Sequence, residues 1–261
     1  MSSHAAEAAY ADEELAALYD LFFSDYADDL MMHEQFARRG ETASLELGAG
    51  AGRLALHLSR AGIDVVAVDS SPAMLRLLQS KLAAERRPRV RIVEADMRSF
   101  DLGERFDVIH CAANTFQHLL TTDDQIAALR RIAAHLTPGG VFVAKVRAPA
   151  GIDWGMEQTA LRLRGTRIDP ATGDTVMRLE SWSISPNDMW TAATWVFDRI
   201  DAQGAVRRRS FDVTLRYTGR DELRLLLARA GLRLLHLYGG FDLSPFDADS
   251  DSMVFVTGLE G

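Results

Sequence analysis

The chain has 261 residues, 48% of them hydrophobic, and a formal net charge of -8. That length and apolar content suit one α/β domain carrying an insertion. The acidic balance argues against nucleic acid as a partner, because phosphate binding needs clustered Lys and Arg and the only basic run here is Arg207–Arg209.

Residues 12–39 read as one amphipathic helix, with Leu15, Leu18, Leu21 and Phe22 at helical spacing. The N-terminus lacks the basic and apolar regions of a signal peptide. Residues 43–48 form a short buried strand that runs into LELGAGAGRL, where Gly48, Gly50 and Gly52 precede a helix reaching about Ala61. A β-branched run, 63–69, ends on Asp69, and Ser71-Pro72 then supplies an N-cap and a proline at the first helical position. Strands follow at 90–96 and 106–112. The second of these contains Cys111, the single cysteine, which reads as a small core residue and excludes an internal disulfide. A helix over 122–136 is predicted to break at Pro138-Gly139-Gly140 before a fifth strand, 141–146. Strands alternating with helices imply a parallel sheet covered on both faces.

The period changes at Pro149. Alternation at period two marks strands in MRLESWSI, WTAATWVFDRI and VRRRSFDVTLRY, an antiparallel unit of three or four strands that contains Trp182, Trp190 and Trp195, with Trp154 on its approach. Thr218 and Asp221 have capping-box spacing for a final helix, and strands near 232–238 and 252–258 close the chain. The loop between them, FDLSPFDADSDS, reads as a solvated acidic turn without the pattern of a calcium loop. No cluster has zinc spacing, so no metal is expected. No apolar run approaches the roughly 18 residues of a membrane span, so a cytoplasmic protein away from membranes is expected.

A glycine-rich turn between a strand and a helix lets a ligand lie against the backbone and meet free N–H groups. The dinucleotide fingerprint needs a glycine where this chain has Arg53, which weakens a nicotinamide reading. LELGAGAGRLALHL, VVAVDSSPAML, EADMRSF, FDVIHCAANTFQHL and LTPGGVFV, in that order, resemble the class I S-adenosylmethionine-dependent methyltransferases. The flanks ELAALYDLFFSDYADD and NTFQHL, with a β insertion after the fifth strand, resemble the small-molecule N-methyltransferases, among them deoxyamino-sugar N,N-dimethyltransferases and glycine/sarcosine methyltransferases.

The resemblance implies a Rossmann-like α/β fold with a seven-stranded sheet whose last strand is antiparallel. It divides the chain into an N-terminal helical lid (1–40), a cofactor-binding core (41–148), an antiparallel β insertion that caps the acceptor (149–217) and a C-terminal helix with the last two strands (218–261). It also implies S-adenosyl-L-methionine as the cofactor. Glu46, Gly48, Gly50 and Gly52 would hold its methionine part, Asp69 its ribose diol, and Ser70 and Met74 would flank the adenine. Asp96 and Met97 would bind the adenine edge, Ala112 would lie over the sulfonium, and Tyr19 would close the lid, with Tyr10 a weaker candidate. Met74 and Tyr19 read equally well as core residues.

On the acceptor side stand His118, as the catalytic candidate that orients an amine or takes its proton, and Asn114, Gln117 and Arg147 as substrate-binding candidates. Lys145 and Arg147 stand where many relatives carry an acid or an aromatic, and they point to an acidic acceptor. The reaction expected is in-line methyl transfer to a nitrogen, less readily an oxygen, of a small molecule. A non-catalytic cofactor-binding module is the alternative. Sheet insertions of this kind also pair subunits, which makes a homodimer an expectation for light scattering.

Overall fold

The computed structural model describes Tyr10 and residues 12–153 and 160–261, so Trp154 lies outside the described residues. In chain order, α1 (Glu13–Phe23) and α2 (Leu30–Ala37) precede β1 (Ser44–Leu47), α3 (Arg53–Arg60), β2 (Val65–Asp69), α4 (Pro72–Ala83) and β3 (Val90–Glu94). Then come β4 (Phe106–Cys111), α5 (Thr122–His135) and β5 (Leu136–Arg147). Four further strands follow: β6 (Arg162–Ile168), β7 (Thr175–Ser185), β8 (Trp190–Ile200) and β9 (Val206–Arg216). The chain closes with α6 (Arg220–Arg229), β10 (Leu232–Tyr238) and β11 (Ser252–Leu259).

Seven strands form one sheet in the order β10-β11-β5-β4-β1-β2-β3, and β11 runs antiparallel to both its neighbours. The central strands are apolar on both faces because both are covered. Leu45, Ile109, Phe142 and Phe255 pack with Leu129 and Ile132 of α5 and Leu227 of α6. On the other face, Val65 and Ala67 meet Leu54 and Leu58 of α3 and Leu78 of α4, and beside them Val143 and Val254 meet Met32 and Phe36 of α2. β6 to β9 form a separate antiparallel sheet. Its Phe197, Phe211 and Val213 bury Leu15, Leu18 and Phe22 of α1, while Ala16 of the same helix packs on Ala51 and Met74. α1 is thus held between the four-stranded sheet on one side and the glycine turn and α4 on the other.

Three sequence expectations are corrected. The helix expected over 12–39 is two helices, with the break between Phe23 and Leu30 held by Arg53, which donates to Tyr26 O at 3.0 Å and to Asp29. Pro138-Gly139-Gly140 does not delay β5. The strand begins at Leu136 and absorbs these residues as a register shift between the Phe106 and Val108 pairings, with Gly139 at φ 88°. Thr218 does not cap α6, whose N-cap is Gly219, because its hydroxyl accepts from Gln125 and Arg216 instead. Ser71 does cap α4, accepting from Met74 N at 3.1 Å.

α2 and β4 meet through two buried imidazoles, His33 and His110, whose Nδ1 atoms lie 3.1 Å apart. One nitrogen donates and the other accepts, so at least one ring is neutral. Burial lowers His33 to about 3, and burial with His33 alongside holds His110 well below its usual range. An unfolded chain protonates both as pH falls through 6.5, whereas the folded chain does not. Their contribution to stability is therefore complete above that pH and is lost as pH falls toward 3. Glu46, raised to about 8 by burial, tilts stability the other way above 4.5. In urea titrations across pH 4 to 6, His33→Leu is expected to flatten the acid limb by up to about 1.4 kcal/mol per pH unit. An unchanged slope would show that the pair does not set acid stability.

Candidate active site

β1 ends because the chain turns sharply at Gly48, which has φ 69°. A Cβ there would lie 2.1 Å from Thr115 Cγ2, so any other residue would push away the segment after β4. Gly52, at φ 84°, is the N-cap of α3, and a Cβ there would lie 2.2 Å from Leu78 of α4. Gly48 and Gly50 line an open cleft at the carboxyl edge of the sheet, together with Asp69, Asp96, Tyr19 and His118. Gly52 lies beneath it, where its role is to let α3 approach α4.

Asp69 emerges from β2 at the same edge. Its Oδ2 accepts from Gly50 N at 2.7 Å and its Oδ1 from Ser71 N at 2.8 Å, which fixes the carboxylate against the glycine turn. Burial raises its pKa against the pull of these N–H groups. Ser70 and Met74 line the cleft beside it, and Met74 also packs against Ala16 and Ala73, so it serves core and cleft together. Asp96 and Met97 form the far wall. The Asp96 carboxylate is held by Arg98, whose backbone N and guanidinium both donate to it. Desolvation opposes ionisation there, but Arg98 brings Asp96 below the usual carboxylate range. The sequence reading missed Arg98 and Thr115, both of which line the cleft. Arg98 follows the Asp96-Met97 pair directly, and that adjacency was the available signal.

Tyr10 and Tyr19 roof the cleft with rings 5.7 Å apart and edge-on. Tyr10 is tethered through its backbone carbonyl, which accepts from Ser71 Oγ at 2.6 Å. α1 is latched on both flanks, by Lys81 to Asp20 at 2.6 Å and by Arg209 to Asp12 at 2.6 Å. His118, in the turn after β4, faces the same space with its ring edge-on to Tyr10 at 5.6 Å. Burial lowers its pKa to about 4, so the imidazole is neutral at physiological pH. Its Nδ1 is buried and has no partner among the described residues.

Several predicted residues lie off the cleft. Glu46 sits under its floor, accepting from the backbone N–H of Ala55, with Oε2 buried and unpaired among the described residues. Ala112 is buried behind the wall. Asn114 Oδ1 accepts from Lys145 Nζ at 2.9 Å. Gln117 is 2% exposed, and its carboxamide is fully committed: Oε1 accepts from Arg147 N at 2.8 Å, and Nε2 donates to Arg147 O at 3.3 Å and Arg216 O at 3.1 Å. It joins the two sheets and has no atom left to read an acceptor. The Arg147 side chain turns to Gly151 O, 2.5 Å away. In the 241–252 loop, Asp242 and Asp247 accept from nearby backbone N–H groups.

The cleft fits S-adenosylmethionine. The glycine turn leaves backbone exposed, Asp69 offers remaining carboxylate lone pairs to a diol, and the apolar surface of Met74 and Met97 suits an aromatic base. Residues 45–140 match a family model described as a methyltransferase domain. The cypemycin N-terminal methyltransferase of a Streptomyces species is 31% identical over 220 residues, 81% of each chain. The glycine/sarcosine N-methyltransferase of Halorhodospira halochloris is 27% identical over 87% of this chain and 79% of its own length. The CcbJ methyltransferase of Streptomyces caelestis superposes with a TM-score of 0.76 and 31% identity, covering 97% of this chain and 98% of its own. A catalytic-domain match, full-length relatives and the glycine–Asp69 cleft converge on one conclusion: the chain belongs to the S-adenosylmethionine-dependent methyltransferases, enzymes whose methyl donor is S-adenosylmethionine.

Proposed function

We propose that the enzyme methylates an amine nitrogen of a small molecule, with α1 as a lid over the donor and the four-stranded sheet as a cap over the acceptor. The observation that carries this reading is a neutral imidazole, His118, with an unpaired Nδ1, in the same cleft as Asp69 and the glycine turn. The relative from Halorhodospira halochloris is an N-methyltransferase, which supports nitrogen over oxygen.

S-adenosylmethionine supplies a methyl group already activated on sulfur. The protein then needs to align the nucleophile and exclude water. Tyr10, Tyr19 and Met74 exclude water. His118 accepts a hydrogen bond from the amine N–H, which turns the nitrogen lone pair toward the donor. It is a poor store for a full proton. An alkylammonium titrates near 10.4, and transfer to a group near 4 costs roughly 9 kcal/mol. The amine therefore reacts as the free base drawn from solution.

His118→Asn is expected to lower kcat by about 10²-fold, the scale of a positioned proton acceptor, while S-adenosylhomocysteine affinity stays within twofold. The kcat/KM profile should rise toward the acceptor's own ammonium pKa in both proteins. A limb near pH 6 to 7 that disappears in the variant would instead make His118 a proton carrier.

A further inference from the structure

We propose that the methyl acceptor carries a carboxylate close to its amine and that Lys145 binds it. This rests on the amine-methylating reading above and names the acceptor class for that same site.

Lys145 lies near the carboxyl end of β5. Cys111 pairs with Ala144, and Glu46 pairs with His110, so Gly48, Ala112 and Lys145 fall in one row across the carboxyl edge of the sheet. With adjacent strands about 4.8 Å apart, the Lys145 backbone is about 5 Å from Ala112 and about 10 Å from the glycine turn. The side chain leaves the sheet on the face covered by α2. Nζ donates to Asn114 Oδ1 at 2.9 Å, and Asn114 belongs to the same turn as His118. Lys145 therefore stands beside the segment that holds the amine.

The ammonium lacks a counter-ion. Among the described residues Lys145 makes no ion pair and no hydrogen bond beyond the one to Asn114, which leaves two N–H groups for a ligand. Asp29 is the acid it senses, but both Asp29 oxygens are bound to Arg53, at 2.5 and 2.7 Å. The other cations of this edge are engaged: Arg98 with Asp96 and Asp124, and Arg147 with Gly151 O. Burial and then Arg147 lower Lys145 to about 8, against a smaller opposing pull from Asp29. The reaction brings one more positive charge, on the donor's sulfonium before transfer and on the methylated amine after it. A carboxylate on the acceptor offsets that charge and fills the Lys145 donors. The donor's own carboxylate is the other source of this chemistry. Gly48, Gly50 and Gly52 spend their own N–H groups on Val68 O, Asp69 and Ala49 O, so the partners the turn offers it, two strands away, are the first N–H groups of α3.

The test uses matched acceptors: glycine with glycinamide, and phenylalanine with phenylalaninamide, together with a neutral-tailed amine such as benzylamine. Wild type is expected to favour each acid over its amide by at least tenfold in kcat/KM. Lys145→Met should bring that ratio to about one by raising KM for the acids, with S-adenosylhomocysteine affinity unchanged. Lys145→Arg, which keeps the charge should Lys145→Met fold poorly, should retain the preference. Equal use of acids and amides, or turnover of benzylamine with no acid methylated, overturns the carboxylate while amine methylation stands. A tenfold loss of S-adenosylhomocysteine affinity in Lys145→Met assigns the lysine to the donor and also overturns it. Donor binding with no amine methylated removes both this inference and the reading beneath it.

Discussion

Asp69→Ala is expected to weaken S-adenosylhomocysteine binding by about 10²–10³-fold in calorimetric titration, with wild type binding it in the micromolar range and NAD not at all. The size follows from two charge-assisted hydrogen bonds to a ribose diol, roughly 3–4 kcal/mol together. The same carboxylate also anchors Gly50 N and Ser71 N, so its loss loosens the glycine turn as well. Asp69→Asn should rescue little. Its carboxamide has one accepting oxygen, and its NH₂ group would face either the Gly50 or the Ser71 N–H, donor against donor. Undiminished product binding in Asp69→Ala, or NAD binding in wild type, would remove Asp69 from the donor site.

Arg53→Met is expected to be the most destabilising single change, costing about 3–5 kcal/mol and lowering Tm by roughly 10 °C. Asp29 is 0% exposed, and its two oxygens rest on the Arg53 guanidinium. Without Arg53 a buried carboxylate keeps its charge and loses its partner, and Tyr26 O loses a donor as well. The loss should be largely recovered in Asp29→Leu/Arg53→Met, because a pair replaced on both sides leaves nothing buried and unpaired. A double variant as unstable as Arg53→Met would mean that the guanidinium acts through packing on the Tyr26 ring, 5.3 Å from its Cζ, and not through Asp29.

The features legible in the sequence are those a short stretch decides. An apolar run ending in glycines locates β1 and its turn. A β-branched run ending on Asp69, followed by Ser71-Pro72, locates β2, a cleft carboxylate and the start of α4. What stayed hidden depends on partners far along the chain. Gln117 reads as a polar residue beside a catalytic candidate, but one of its partners is 99 positions away. Thr218 has capping spacing, but its hydroxyl bonds Gln125, 93 positions earlier. Glu46 shares its motif with the cleft glycines, yet it precedes the turn, and strand alternation sends its side chain under the floor. The break between α1 and α2 shows no helix breaker in the sequence, and it is the reach of Arg53 back to Tyr26 and Asp29 that holds it.

Gln117 bonds the backbone at Arg147 and at Arg216, the two points where the chain leaves the seven-stranded sheet and comes back to it. Departure and return therefore share one doorway. A segment whose ends are already side by side can be lengthened, shortened or exchanged at little cost in loop-closure entropy. The enzyme is in this sense a cassette: the stretch from Ala148 to Leu215 can be spliced for another while β1, β2 and the turn holding His118 keep their positions. One carboxamide is the clasp on which any such graft would have to close.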